Sequence, residues 1–227
     1  MLGRVLRTRF VARIAGRRRW ALEGNVGVRM VGHRAYIGGR WDEWGRVEFD
    51  FLRERGLEPH HVLLDIACGA LRAGVHFIPY LDAGNYLGIE KERELIRRGI
   101  AHELPPEVRE QKRPELLVSG TFEFDRLSKP ADYALAWSLF THLTVDDVET
   151  CLRKLRAYVG PEHQFFASFG PGESAGNATR SHAHAAFHYE PEELMAMGER
   201  HGWQCEYLGR LENTRVMRQA MMRFTPR

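Results

Sequence analysis

Val62 to Gly74 reads VLLDIACGALRAG. Three aliphatic residues run into Asp65 with no polar residue between them, the pattern of a parallel strand buried on both faces. Ala67, Cys68, Gly69 and Ala70 then make a small-residue turn, and Arg72 follows. Such a turn serves as a cradle for a bound molecule or as an ordinary strand exit. The flanking sequence separates the two readings.

Downstream, LRAGVHFIPYL (71–81) is expected as a helix with Pro79 near its end, and NYLGIE (85–90) as a short strand. KERELIRRGIAHEL (91–104) is an amphipathic helix closed by Pro105 and Pro106. PELLVSG (114–120), ADYALAWS (131–138) and QFFASF (164–169) are strands. Between the last two, Thr144 caps a helix with Asp147 three residues on, and Gly160–Pro161 ends it. A polar, glycine-rich stretch spans 170–189, a helix opening at Pro191 follows, and WQCEYLGRL (203–211) and VMRQAMMRF (216–224) are strands joined through ENT. Upstream, WDEWGRVEFDFLRERG (41–56) has helical spacing with Gly56 as a stop. Five strand–helix alternations imply a doubly wound, mostly parallel α/β sheet with helices on both faces. The short final connection requires an antiparallel last pair. The expected division is a basic extension and lid over 1–39, and one cofactor-binding domain over 40–227.

The 227 residues are 44% hydrophobic, enough for one sizeable core. Cys68, Cys151 and Cys205 form no CxxC, which fits a reducing, cytoplasmic setting without disulfides or a zinc knuckle. No apolar run reaches the ~20 residues of a membrane span, and the N-terminus has no uninterrupted apolar region of a secretory signal. Residues 1–19 carry seven Arg and no acid, leaving 26 basic against 30 acidic residues in the remainder. The body therefore lacks the basic excess of a nucleic-acid binder. The arm suits weak contact with an anionic surface, although Arg9 and Arg13 interrupt its Leu2/Leu6/Phe10 face.

In open parallel sheets ligands bind at the carboxyl ends of the strands, at the switch point. Glu90 ends the second strand, 25 residues after Asp65. An acid there is placed to accept two hydrogen bonds from a ribose diol, and the small residues let backbone approach a ligand. Together they indicate a nucleoside-containing cofactor. Nicotinamide fits poorly: read as GxGxxG, the turn offers Ala67, Gly69 and Arg72. No GxxxxGK[ST] P-loop exists.

LLDIACGALRAG, YLGIEKERELI and ADYALAWSLFTHLTVDDVETCLRKL resemble class I S-adenosylmethionine-dependent methyltransferases of the bacterial small-molecule type. The resemblance spans roughly Tyr36 to Phe224, and YIGGRW before the first helix is similar to a segment of one such subgroup. It implies a Rossmann-like, seven-stranded sheet with an antiparallel last strand, and S-adenosylmethionine as cofactor. Against the family's D-x-G-x-G-x-G, Asp65 matches the acid, Ala67 replaces the first Gly, Gly69 matches the second and Leu71 stands at the third. Ala67 is expected to hold a negative φ, with the cofactor passing slightly farther off. The resemblance further implies that Glu90 holds the ribose, Thr121 and Phe122 pack near the adenine, and Trp137 and Ser138 line the methyl-bearing side. Arg72 would meet the methionyl carboxylate, and Tyr36 would close over the cofactor.

The segment after the fourth strand reads WSLF where amino-methylating relatives often carry N/D-P-P-Y. That disfavours methylation of adenine or a glutamine amide and leaves oxygen, slightly preferred, or an amine of a small molecule as the acceptor. An alcohol needs a base, and His142, His182 and His184 are the candidates. His182, His184 and His188 are not read as a metal site, and their stretch is expected to be a mobile substrate gate. A homodimer is open. The alternatives are an RNA- or membrane-docked methyltransferase using the Arg arm, and a non-catalytic cofactor-binding protein.

Overall fold

The structure, a computed structural model, describes residues 22–211 and 219–227. The Arg arm at 1–19 and the ENT link lie outside the described residues. Strands β1 (Leu63–Ile66), β2 (Tyr86–Glu90), β3 (Glu115–Val118), β4 (Tyr133–Ala136), β5 (Gln164–Pro171), β7 (Trp203–Arg210) and β8 (Ala220–Pro226) order as β3-β2-β1-β4-β5-β8-β7. β8 runs antiparallel to both β5 and β7, and the other ladders are parallel. A two-residue β6 (His188–Tyr189) adds to β5 in parallel. The expected sheet is present, with β6 as an extra.

The central strands β1, β2 and β4 are buried at every position, because both faces of the sheet are covered there. Successive residues alternate between two cores: Leu64, Ala134 and Phe165 point to one, and Leu63, Leu135 and Phe166 to the other. The helices are α1 (Gly24–Val31), α2 (His33–Tyr36), α3 (Trp41–Arg53), α4 (Gly74–Tyr80), α5 (Arg93–His102), α6 (Pro106–Lys112), α7 (Val145–Tyr158) and α8 (Pro191–Arg200). Phe49 and Leu52 of α3 fill one core, and Leu152 and Leu155 of α7 the other. α7 starts as expected, the Thr144 hydroxyl accepting the Asp147 amide at 3.4 Å. α8 has Pro191 in its first turn and a reciprocal Glu190/Glu193 capping box.

Two boundaries differ from expectation. α4 starts at Gly74 rather than Leu71, because Leu71 has φ +68°, outside the helical region. β8 runs from Ala220 to Pro226. Of the expected strand start, 216–218 lie outside the described residues, and the Gln219 side chain is held by Ser168 and Ser138 instead.

Residues 24–36 fold onto the domain. The α5 residue Glu94 donates its amide to Asn25 Oδ1 at 2.7 Å. Val28 and Tyr36 pack with Trp41, Ala70 and Leu95. This brings α2 and the following Ile37 to the carboxyl end of β1.

Candidate active site

The turn after β1 is built from left-handed residues. Ala67, Gly69 and Leu71 have φ of +62°, +58° and +68°. The expectation of a negative φ at Ala67 is therefore corrected. The alternation at 67, 69 and 71 is imposed by tight backbone bonding, with Cys68 N–H on the Ile89 carbonyl at 3.1 Å and Leu71 N–H on the Cys68 carbonyl at 3.0 Å. Flanking helices clamp the turn at glycines: a Cβ on Gly45 would stand 2.3 Å from the Arg72 carbonyl oxygen, and one on Gly99 2.6 Å from that of Ala70. A left-handed alanine costs ~1–2 kcal/mol, partly offset because glycine loses more entropy on folding. Ala67→Gly is accordingly expected to raise stability by ~1 kcal/mol, about 2–4 °C in Tm. A lower Tm in a thermal melt would contradict this geometry.

Glu90 stands over the turn. Its Oε2 accepts the Gly69 amide at 3.1 Å and its Oε1 the Glu92 amide at 2.9 Å. Burial raises its pKa, opposed by these two amides. Asp65 accepts from the Tyr86 hydroxyl at 2.7 Å. Burial, reinforced by Glu48 and Glu90 and opposed by Tyr86 and Arg72, lifts its pKa to about 7. Arg72 is pinned: Nε and Nη2 donate to Glu48 Oε1 at 3.0 and 2.6 Å, and Nη1 to the Ile37 carbonyl at 3.2 Å. Burial raises the Glu48 pKa despite Arg72. Tyr36 accepts the Gly24 amide at 3.0 Å, and burial together with Glu92, Glu23 and Glu90 pushes its hydroxyl up to about 12.

These groups line one cavity of about 890 Å³ at the carboxyl ends of β1, β2 and β4, where the strand order reverses. Asp65, Ala67, Gly69, Arg72, Glu90, Phe122, Trp137, Ser138, Tyr36, His142, His182 and His184 all line it. Thr121 does not: it is exposed, and its carbonyl accepts from Lys154 Nζ. Ser119 and Gly120 take that wall instead. Phe122 (φ +57°) and Ser138 (φ +60°) add two more left-handed residues to the rim.

The three histidines differ. His142 Nδ1 lies 2.7 Å from the Ala185 carbonyl, which only accepts, so Nδ1 carries the proton and Nε2 the lone pair. Burial lowers its pKa, outweighing that hydrogen bond, so the ring is neutral at pH 7. His182 has both ring nitrogens engaged within the protein: Nδ1 accepts the His184 amide at 3.1 Å, and Nε2 faces the Glu23 carboxylate, 3.2 Å from Oε2. His184 packs edge-on against Tyr36, 5.1 Å between centroids. Their stretch, expected as a mobile gate, is hydrogen-bonded to the 141–142 segment in this conformation. Its backbone amides at His182 and Phe187 donate to the His142 and Thr141 carbonyls at 3.0 and 2.8 Å, with Phe187 in the core. Among the described residues no group of three or more His, Cys, Asp or Glu is placed to hold a metal ion.

No protein-family model and no curated protein matches this sequence. Solved structures do. The glycopeptide N-methyltransferase MtfA matches with a TM-score of 0.63 at 13% identity, over 83% of this chain and 92% of that one. Magnesium protoporphyrin IX methyltransferase (ChlM) from Synechocystis PCC 6803, with bound SAM, gives 0.59 at 11% identity, over 82% and 79%. An S-adenosylmethionine-dependent methyltransferase from Clostridium acetobutylicum ATCC 824 gives 0.60 at 11% identity, over 80% and 91%. The chain has the fold of the S-adenosylmethionine-dependent methyltransferases.

Within that fold, several cavity residues escape a reading of the sequence. Glu48 is the one with a signal: it falls at helical spacing between the apolar Trp44 and the Phe51/Leu52 pair, on the inward side of its helix. Gln219 has none. It enters from the start of β8 and accepts the Ser168 hydroxyl at 2.7 Å while its amide donates to Ser138 Oγ at 2.9 Å. Glu92, Ser119 and Asp147 likewise join the wall only through the fold.

Proposed function

We propose that this chain is a cytoplasmic S-adenosylmethionine-dependent methyltransferase acting on a small-molecule acceptor, with oxygen favoured over nitrogen. One observation carries the cofactor assignment: the cavity on the left-handed turn is walled by Glu48, Asp65, Glu90 and Glu92, against Arg72 and Lys91. Arg72 is already paired with Glu48 and Lys91 with Glu23. Burial favours the neutral form of the wall carboxyls in the cofactor-free protein, and a ligand carrying a sulfonium and an ammonium favours their ionised form, which a pyrophosphate opposes.

Each Glu90 oxygen takes one amide and keeps a lone pair, so the carboxylate accepts both hydroxyls of a ribose diol. Ser119 and Phe122 flank the adenine. Trp137 and Ser138 line the methyl-bearing end. Asp65 and the turn amides hold the methionyl end. Three of the five Arg72 N–H donors are used, leaving two for the methionyl carboxylate. Tyr36, a protonated phenol, covers the top.

Bound there, S-adenosylmethionine supplies a methyl group on a positively charged sulfur. His142 Nε2 would take the proton of an acceptor hydroxyl as that oxygen accepts the methyl group. The products are a methyl ether and S-adenosylhomocysteine, with the proton on His142. A neutral imidazole suits an alcohol or phenol, which must lose a proton during attack. Incubation with methyl-labelled S-adenosylmethionine and a panel of small alcohols, phenols and amines tests this. Labelled ethers are expected. Label found on amines alone would overturn the oxygen preference.

A further inference from the structure

Five large hydrophobic side chains are exposed among the described residues, and three of them, Val26, Met30 and Val31, lie on α1. Val26 and Met30 are one turn apart and share a face. They are 60% and 68% exposed, so the domain does not cover them. α1 packs on α2 and α5, and each of the three helices carries exposed arginine. Arg29, Arg34 and Arg97 reach outward, each more than half exposed. Their acidic partners lie beneath: Glu94 takes Arg29, Arg97 and Arg98, and Glu103 takes Arg34, with both carboxylates buried. Four arginines against two carboxylates leave an excess of positive charge on the helices that carry and adjoin the exposed apolar residues.

That combination selects its partner. Arginine tips over buried acids complement a negative surface, and the exposed apolar side chains of α1 gain only where they leave water. The headgroup layer of an anionic bilayer offers both. RNA would use the arginines and gain nothing from Val26 or Met30. The seven Arg of residues 1–19 add charge of the same sign just ahead of α1 in sequence. Ala35 and Tyr36 of α2 line the cavity, so the face adjoins the candidate active site.

We propose that the face formed by α1, α2 and α5 is a peripheral docking surface for an anionic lipid bilayer. It stands independently of the methyl-transfer reading, because its readout is partitioning and not turnover.

Co-sedimentation of the full chain tests it, using vesicles of phosphatidylcholine with and without phosphatidylglycerol. Partitioning is expected onto the anionic vesicles only, weakening with salt. Val26→Ser/Met30→Ser is expected to lose about tenfold or more in partitioning with an unchanged Tm. Arg29→Gln/Arg97→Gln is expected to lose about fivefold per charge removed. Three results would overturn the proposal. One is no partitioning of the parent chain. Another is full partitioning of both variants, which would leave the binding to residues 1–19. The third is a large Tm drop in the serine variant, which would show that another part of the chain covers the face.

Discussion

Replacing His142 by asparagine is expected to lower methyl transfer roughly 10²- to 10⁴-fold, the usual contribution of a positioned general base. Asparagine is the informative choice. Its amide N–H can still donate to the Ala185 carbonyl, as His142 Nδ1 does at 2.7 Å. The loop under it then stays in place while the basic Nε2 is gone. Affinity for S-adenosylhomocysteine is expected to stay within a few-fold of the parent, because no part of the cofactor is assigned to this ring. The pH profile supplies a second readout. Burial lowers the His142 pKa below the ordinary 6.5, so the base form persists through neutral pH. The parent rate should be flat near pH 7 and fall only on the acid side of 6.5. The asparagine variant should lose that acid limb. Retained activity with the same limb would remove His142 from the chemistry and direct attention to His184.

Glu90→Ala is expected to weaken S-adenosylhomocysteine binding by roughly 10- to 150-fold, the loss of ~1.5–3 kcal/mol from hydrogen bonds to an ionised carboxylate. Glu90 also serves the protein. Its oxygens take the Gly69 and Glu92 amides, so the variant bares two buried donors. A Tm measured beside the titration separates the two effects. A folded variant with weaker binding supports the ribose assignment, and a folded variant with parent affinity contradicts it. Binding should also respond to pH. Burial raises the Glu90 pKa in the cofactor-free protein, whereas hydroxyl donors favour its ionised form. Cofactor binding should therefore release a proton where the free carboxyl is protonated, and affinity should fall as the pH is lowered through that range.

The fold was legible because its central strands carry no alternation. Leu63 and Leu64 serve opposite cores, and a strand buried on both faces has no polar side to show. Helix ends were legible where side chains cap them, as Thr144 does. The turn was less so. Its left-handed geometry at 67, 69 and 71 is set by backbone bonding, and alanine and leucine occupy two positions where glycine would have announced it. Leu71 stays because its side chain is fully buried in the core, which offsets the cost of its φ. Glu90 was found from its distance along the chain to Asp65. Thr121 was misplaced because β3 stops at Val118, which brings Ser119 rather than Thr121 to the wall. His182 looked like a base because its partner Glu23 is 159 residues away in sequence and only folding joins them.

The central claim is that this cavity takes a cationic, nucleoside-bearing methyl donor. Calorimetric titration of the purified chain with S-adenosylmethionine, S-adenosylhomocysteine and NAD tests it most directly. The account predicts one-to-one binding of the first two and none of NAD, whose pyrophosphate would face Glu48, Asp65, Glu90 and Glu92. Tight binding of NAD, or no binding of either adenosyl compound by the folded protein, would contradict it.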